Sequence, residues 1–193
     1  MDLVQTIFKR RSIRRFKQSP ISKSTIEMLV DCARMAPSSG NKQPLIYVLV
    51  DAKALVEQIF TTLRWANYLG EEGTPPEGER PVAYIIVLVD KNISTAGYEY
   101  DSGMAIENMI LAALEYGIGS CCIGSVDREK LRKILNIPEN FIIDLVVALG
   151  YPNEEPVAED MTNSIRYWKD SFGKLHVPKR KLKNIMYWNE MAI

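Results

Sequence analysis

The nine residues VAYIIVLVD (82–90) constrain the fold most. A run that is apolar at consecutive positions has no polar face to turn to water, so as a strand it must be covered on both sides. Helices are the usual cover, and helical patterns flank this run. Leu3, Val4, Ile7 and Phe8 recur at helical spacing and give a short opening helix. Ser24 to Glu27 reads as a capping box for a second helix, with Ile26, Leu29, Val30 and Ala33 turned inward. Pro37 stops that helix, and Ser-Ser-Gly-Asn is a turn. LIYVLV (45–50) reads as another strand covered on both faces, and Asp51 as the cap of a helix carrying Leu55, Ile59 and Leu63.

A long helix is predicted from about Tyr98 to Tyr116, ended by Gly117. Its stretch MILAALEYG is apolar on more than one face, which suits burial against its own sheet and against a partner subunit. SCCIG (120–124) is a short strand, Asp127 caps a helix holding Leu131, Ile134 and Leu135, and FIIDLVVALG (141–150) is the last core strand. Alternating strands and helices predict three layers, α/β or α+β, around a mixed sheet. Between them, residues 70–81 form an acidic loop rich in Pro and Gly, long enough for a lid or mobile connection.

The 193 residues are expected to form one domain, 1–193. The tail from Pro152 onward carries Ile185, Met186, Tyr187 and Trp188 without clean periodicity. Such residues need cover, and 152–193 is expected to extend over a second copy. Formal net charge is zero, so no global field draws the protein to nucleic acid or a membrane, and any anion site must be local. No apolar run reaches the roughly 18 residues of a membrane span, and MDLVQTIFKRR lacks a signal core. Three cysteines, two of them adjacent, fit neither a disulfide framework nor a zinc spacing. A cytoplasmic location is expected.

Several apparent motifs lead nowhere. Gly117, Gly119 and Gly124 have the wrong spacing for a dinucleotide fingerprint and sit between helix and strand, the reverse of the required order. The lone histidine, His176, has no nucleophile motif nearby and reads as a solvated or interface residue. Cys121 and Cys122 read as small apolar strand residues. No catalytic side chain and no metal site is expected.

Two basic clusters remain. Arg10, Arg11, Arg14 and Arg15 surround Ser12, and Lys179, Arg180, Lys181 and Lys183 lie near the other end. A solvated helix end explains the first as an ordinary surface. A phosphate explains it too, because guanidinium forks match its oxygens bidentately.

The order RRSIRRF (10–16), APSSGNKQP (36–44), AIENMILAALEYGIGSCCIGS (105–125), ALGYP (148–152) and HVPKRKL (176–182) resembles the nitroreductase family across almost the whole chain. The resemblance implies an α+β fold, three-layered as α/β/α, with a mainly antiparallel mixed sheet. It implies a homodimer binding FMN between subunits. Arg10 and Ser12 then match positions at the FMN phosphate and ribityl chain, with Arg11 adjacent and Arg14 near the pyrimidine edge of the flavin. Pro37, Ser38, Ser39 and Asn41 match a turn reaching the flavin from the partner. Gly124 and Ser125 match a strand end facing the N5 and O4 edge, Lys179 and Arg180 a late basic pair at the phosphate, and Asn67 a further flavin contact. Leu45 departs from a frequent Trp, and Gly124 from an acidic residue in some relatives. The connection between Leu63 and Pro81, which carries Glu71, Glu72, Glu77 and Glu79, falls where such folds shape the substrate channel.

The implied activity is ping-pong transfer of hydride from NADH or NADPH, through FMN, to a small organic acceptor such as a nitroaromatic or quinone. The alternatives are reductive dehalogenation, flavin fragmentation, or a non-catalytic flavin-binding sensor. Nucleic-acid binding by the basic runs is disfavoured by the neutral charge.

Overall fold

The computed structural model describes residues 2–191. β3 (Ala83–Asp90) is buried at every position but its last. It pairs antiparallel with β2 (Leu45–Val50) on one side and β5 (Phe141–Pro152) on the other. β4 (Gly119–Ile123) also pairs antiparallel with β5, and the two-residue β1 (Phe16–Lys17) pairs with the end of β5 at Pro152 and Tyr151. The mainly antiparallel sheet is therefore as expected. Among the described residues, parallel pairing is confined to an isolated bridge between Ser12 and Ser120 and to a small second sheet.

Alternation along β3 builds the two cores. Ala83, Ile85 and Val87 pack with Ile26, Leu29 and Ala33 of α2 (Lys23–Arg34) and with Ala105, Ile106 and Met109 of α4 (Tyr98–Glu115). Tyr84, Ile86 and Leu88 pack with Val56, Ile59 and Phe60 of α3 (Lys53–Phe60) and with Leu131 of α5 (Arg128–Leu135). Each such side chain contributes about 1.5–3 kcal/mol of burial. On β5 the phase shifts once. Val87 faces Leu145 whereas Leu88 faces Ile143, so Asp144 is the extra residue of a bulge. Its carboxylate accepts the hydroxyl of buried Ser102 on α4.

The boundaries differ from the sequence reading in instructive ways. The α2 cap is Ser22, whose side chain accepts the Thr25 N–H, so the helix opens two residues before the expected box. Ala52, not Asp51, precedes α3, and Leu63 lies beyond that helix. β2 meets a core on each face, through Leu45 and Tyr47 on one and Val48 and Val50 on the other, but as an edge strand it leaves Ile46 and Leu49 partly exposed. Thr6 is the buried residue of α1 (Leu3–Lys9), and Leu3, Val4, Ile7 and Phe8 are all exposed.

The tail is more ordered than its lack of periodicity suggests. β6 (Val157–Asp160) pairs parallel with β8 (Leu175–Lys179), and β7 (Trp168–Lys169) pairs antiparallel with β8. His176 sits inside this small sheet, 2.9 Å from Glu159, 3.4 Å from Asp170 and stacked on Trp168 with centroids 4.3 Å apart. These carboxylates, Glu159 foremost, raise its pKa above the ordinary value. It is a structural clamp, more enclosed than a solvated residue. Beyond β8, Leu182, Ile185, Met186, Tyr187, Trp188 and Met191 are exposed. No helix among the described residues is long and apolar enough to cross a membrane.

Candidate functional site

The segment Arg10–Arg15 leaves α1 in extended form. Ile13 is buried, which turns its neighbours Ser12 and Arg14 to the other side. Four bonds hold it there: the Ile13 N–H donates to Ser120 O at 2.8 Å, the Glu154 carboxylate accepts the Arg14 and Arg15 N–H groups, and the Phe16 N–H donates to Glu79 O at 2.9 Å. β4 alternates in the same way. Cys121 and Ile123 enter the core, leaving Cys122 and Gly124 outside.

These two outward faces meet at an open cavity of about 540 Å³, lined by Arg14, Arg64, Trp65, Ala66, Asn67, Cys122, Gly124, Ser125 and Tyr167, with Cys121 and Ile123 at its floor. The volume is that of a small-molecule site. The lining contains two guanidinium groups and no carboxylate. A β-carbon at Gly124 would meet nothing within 4 Å, so the strand end opens on free space. Arg128 fixes that end, donating to the carbonyls of Gly124 at 3.3 Å, Ile143 at 2.8 Å and Asp144 at 2.7 Å. The Arg64 N–H donates to Ser125 O at 3.0 Å, tying the far wall to the same point.

Aromatic side chains complete the wall. Trp65 is buried and stacked on Phe60, centroids 5.7 Å apart. Tyr167 lies under the Arg14 guanidinium at 5.2 Å and against Tyr68 at 5.0 Å, and its hydroxyl accepts the Tyr68 N–H at 3.4 Å. A planar cation over an aromatic face gains roughly 0.5–1 kcal/mol at such a site.

Of the residues singled out in the sequence, Arg14, Asn67, Gly124 and Ser125 converge on this cavity. Arg10 and Arg11 line a separate hollow of about 390 Å³ with Glu154 and Glu155, on the Ser120 side of the same segment. Arg10 pairs with Glu107 at 3.3 Å. The Arg11 guanidinium donates to the Arg10 and Phe8 carbonyls, and its Nε is buried without an acceptor. Pro37 and Ser38 line a third hollow, about 150 Å³, away from Arg14. There the Ser39 N–H donates to buried Asp101 at 2.9 Å, and Gly40 and Asn41 adopt positive φ. Lys179 and Arg180 are exposed at the end of β8, with Arg180 donating to Asn184 O at 2.7 Å.

Of the connection from Leu63 to Pro81, Arg64, Trp65, Ala66 and Asn67 line the cavity, whereas Glu71, Glu72, Glu77 and Glu79 do not. Glu79 instead locks Arg15 at 2.6 Å and accepts from Asn153 at 2.7 Å, and its bond to Arg15 holds its carboxyl below the ordinary range. Arg64, Tyr167, Glu154 and Asp101 escaped the sequence reading. Each is a single polar or aromatic residue without a motif, and each acts through a contact far along the chain.

A family model described as the Nitroreductase family matches residues 7–74 and 78–151. A protein of Archaeoglobus fulgidus, provisionally named an NADH dehydrogenase/NAD(P)H nitroreductase, is 32% identical over 181 residues, covering 89% of this chain and 99% of that protein. A 5,6-dimethylbenzimidazole synthase of Rhodospirillum rubrum is 27% identical, over 78% of this chain and 82% of its own length. An FMN-dependent nitroreductase of Clostridium difficile shares the fold, with a TM-score of 0.71 and 20% identity over 97% of this chain and 99% of that one. The chain belongs to the nitroreductase family.

Proposed function

We propose that the protein carries hydride from NADH or NADPH, through FMN, to a small organic acceptor such as a nitroaromatic or quinone. It is an NAD(P)H-dependent flavin oxidoreductase with FMN as its cofactor. One observation carries the reading of the site: Arg14, Asn67, Gly124 and Ser125, far apart in sequence, line one cavity that has cations and no carboxylate in its wall.

The residues present fit the cofactor. Arg14 and Asn67 offer donors to the pyrimidine edge, and a cation there favours negative charge on the reduced ring. Gly124 and Ser125 present a strand end with open space over it. Ser12 and Arg10, with Arg11, Lys179 and Arg180, form the phosphate end. Among the described residues, the Arg10 guanidinium is paired with Glu107 alone, whose side chain is 48% exposed. A surface pair of that kind contributes about 0–1 kcal/mol, so a dianionic phosphate displaces it. Pro37, Ser38, Ser39 and Asn41 lie away from the cavity of their own chain, and in the homodimer they complete the partner's site. The uncovered faces of α1 and the tail supply apolar surface for that dimer.

When bound, FMN accepts hydride from the reduced nicotinamide and passes it to the acceptor. The chain has no dinucleotide fingerprint, so reductant and acceptor use the same space in turn, and solvent supplies the proton. Calorimetric titration of the flavin-free protein with FMN and with riboflavin tests the phosphate end. Two or more charge-assisted hydrogen bonds of about 1.5–3 kcal/mol each make riboflavin weaker by about a hundredfold or more. Equal affinity for the two would refute the assignment of Arg10 and Ser12.

A further inference from the structure

Arg64 stands apart from the other arginines. Arg10, Arg15, Arg34 and Arg80 pair with carboxylates, and Arg11, Arg128, Arg132 and Arg180 donate to carbonyls. Arg14 and Arg166 lie over tyrosine rings. Among the described residues, Arg64 is the arginine whose guanidinium meets no partner of any of these kinds. It is exposed, yet its backbone is not free to wander. Its N–H is bonded to Ser125 O at 3.0 Å, and the neighbouring Leu63 bridges Val126. The cation is therefore anchored beside the Gly124–Ser125 strand end, on the wall of the cavity that holds Arg14. The acidic loop following it sends no carboxylate into that wall.

We propose that Arg64 selects the ligand that docks in this cavity, by pairing with an anionic group on an otherwise planar molecule. This rests on the flavin reading, which gives Arg14 to the cofactor and leaves Arg64 for what binds over it. A guanidinium takes a carboxylate or a phosphate through paired N–H donors. Two ligands bring such a group to the cavity: an acceptor carrying a carboxylate, and a dinucleotide carrying a 2′-phosphate. Tyr167 on the same wall offers an aromatic face to either.

The test uses the FMN-loaded protein. Benzoate and benzamide have nearly the same shape and differ in charge, and neither is reduced. Their binding to the oxidised protein is read from the shift of the flavin absorption bands, for the wild type, R64Q and R64K. The expected result is a preference for benzoate of about tenfold or more, the scale of one partly exposed charge-assisted bond. R64Q should lose that preference and R64K should recover most of it. A parallel arm compares apparent dissociation constants of NADPH and NADH during rapid anaerobic reduction. Loss of discrimination in this arm alone assigns the anion to the dinucleotide phosphate, and loss in the benzoate arm assigns it to the acceptor. A yellow, reducible protein whose two ratios are the same in wild type and R64Q overturns the role of Arg64 and leaves the flavin reading intact. A wild type that takes up no FMN overturns both.

Discussion

The arginine-rich segment is seated on β4 through Gly119, and this makes Gly119→Ala an informative perturbation. A β-carbon there would stand 2.8 Å from Ile13 Cγ1, 2.9 Å from its Cβ and 3.0 Å from its Cγ2. Carbon atoms rest at about 3.5–4.0 Å, so Ile13 must retreat by roughly 0.7–1 Å. It is buried, and its N–H is bonded to Ser120 O at 2.8 Å, so retreat strains a hydrogen bond and moves Ser12 and Arg14 with it. Overpacking of this kind costs about 1–3 kcal/mol, against which the lost freedom of the unfolded chain returns about 0.4–1 kcal/mol. The expected net loss is about 1–2 kcal/mol, a fall in melting temperature of roughly 2–8 °C for a chain of this size. Urea unfolding followed by circular dichroism measures it. Ile13→Ala alone should cost about 2–5 kcal/mol. In the double variant the two Cγ contacts vanish, so its loss should fall short of the sum by about 1 kcal/mol. FMN affinity should drop in Gly119→Ala because the segment shifts. A Gly119→Ala protein as stable as the wild type, or strict additivity with Ile13→Ala, would refute the close-approach argument.

Arg10→Ala and Ser12→Ala should each weaken FMN retention, measured by flavin fluorescence after gel filtration, whereas Arg14→Ala should alter the rate of flavin reduction more than binding. The His176 pKa lies above its ordinary 6.5, with the hydrogen bond to Glu159 as the main cause. The raised value sets the sign: the clamp stabilises the fold fully below about pH 6.5 and loses that contribution as pH rises through the folded value. His176→Gln should flatten this part of the thermal stability profile, and an unchanged profile would remove the clamp from the account. Ser22→Ala should cost about 1 kcal/mol in chemical unfolding through loss of the α2 cap, whereas Ser24→Ala should cost much less.

Much of this fold was legible because burial writes period and continuity into sequence. VAYIIVLVD, the α4 pattern and the Asp127 cap all correspond to observed elements, and Asp127 accepts the Lys130 N–H as a cap should. What was not legible depends on neighbours. The apolar run of β2 gave no sign that Ile46 and Leu49 are partly exposed, since an edge position is a property of the sheet. The small tail sheet is held largely by His176, Trp168 and Glu159, whose contacts no periodicity reveals. At the site, the family resemblance named Arg14, Asn67, Gly124 and Ser125, and they share a cavity. Arg64 and Tyr167 were missed because their role follows from where β4 ends and how the tail returns over it. The charge of the acidic loop was plain in the sequence, but its pairing of Glu79 with Arg15 was not.

The most direct test of the central claim is a visible absorption spectrum of the purified protein, taken anaerobically before and after adding NADH or NADPH. The account expects flavin bands that bleach on addition and return when a nitroaromatic or quinone is supplied. A colourless protein that takes up no added FMN, or a yellow one that neither nicotinamide bleaches, would contradict it.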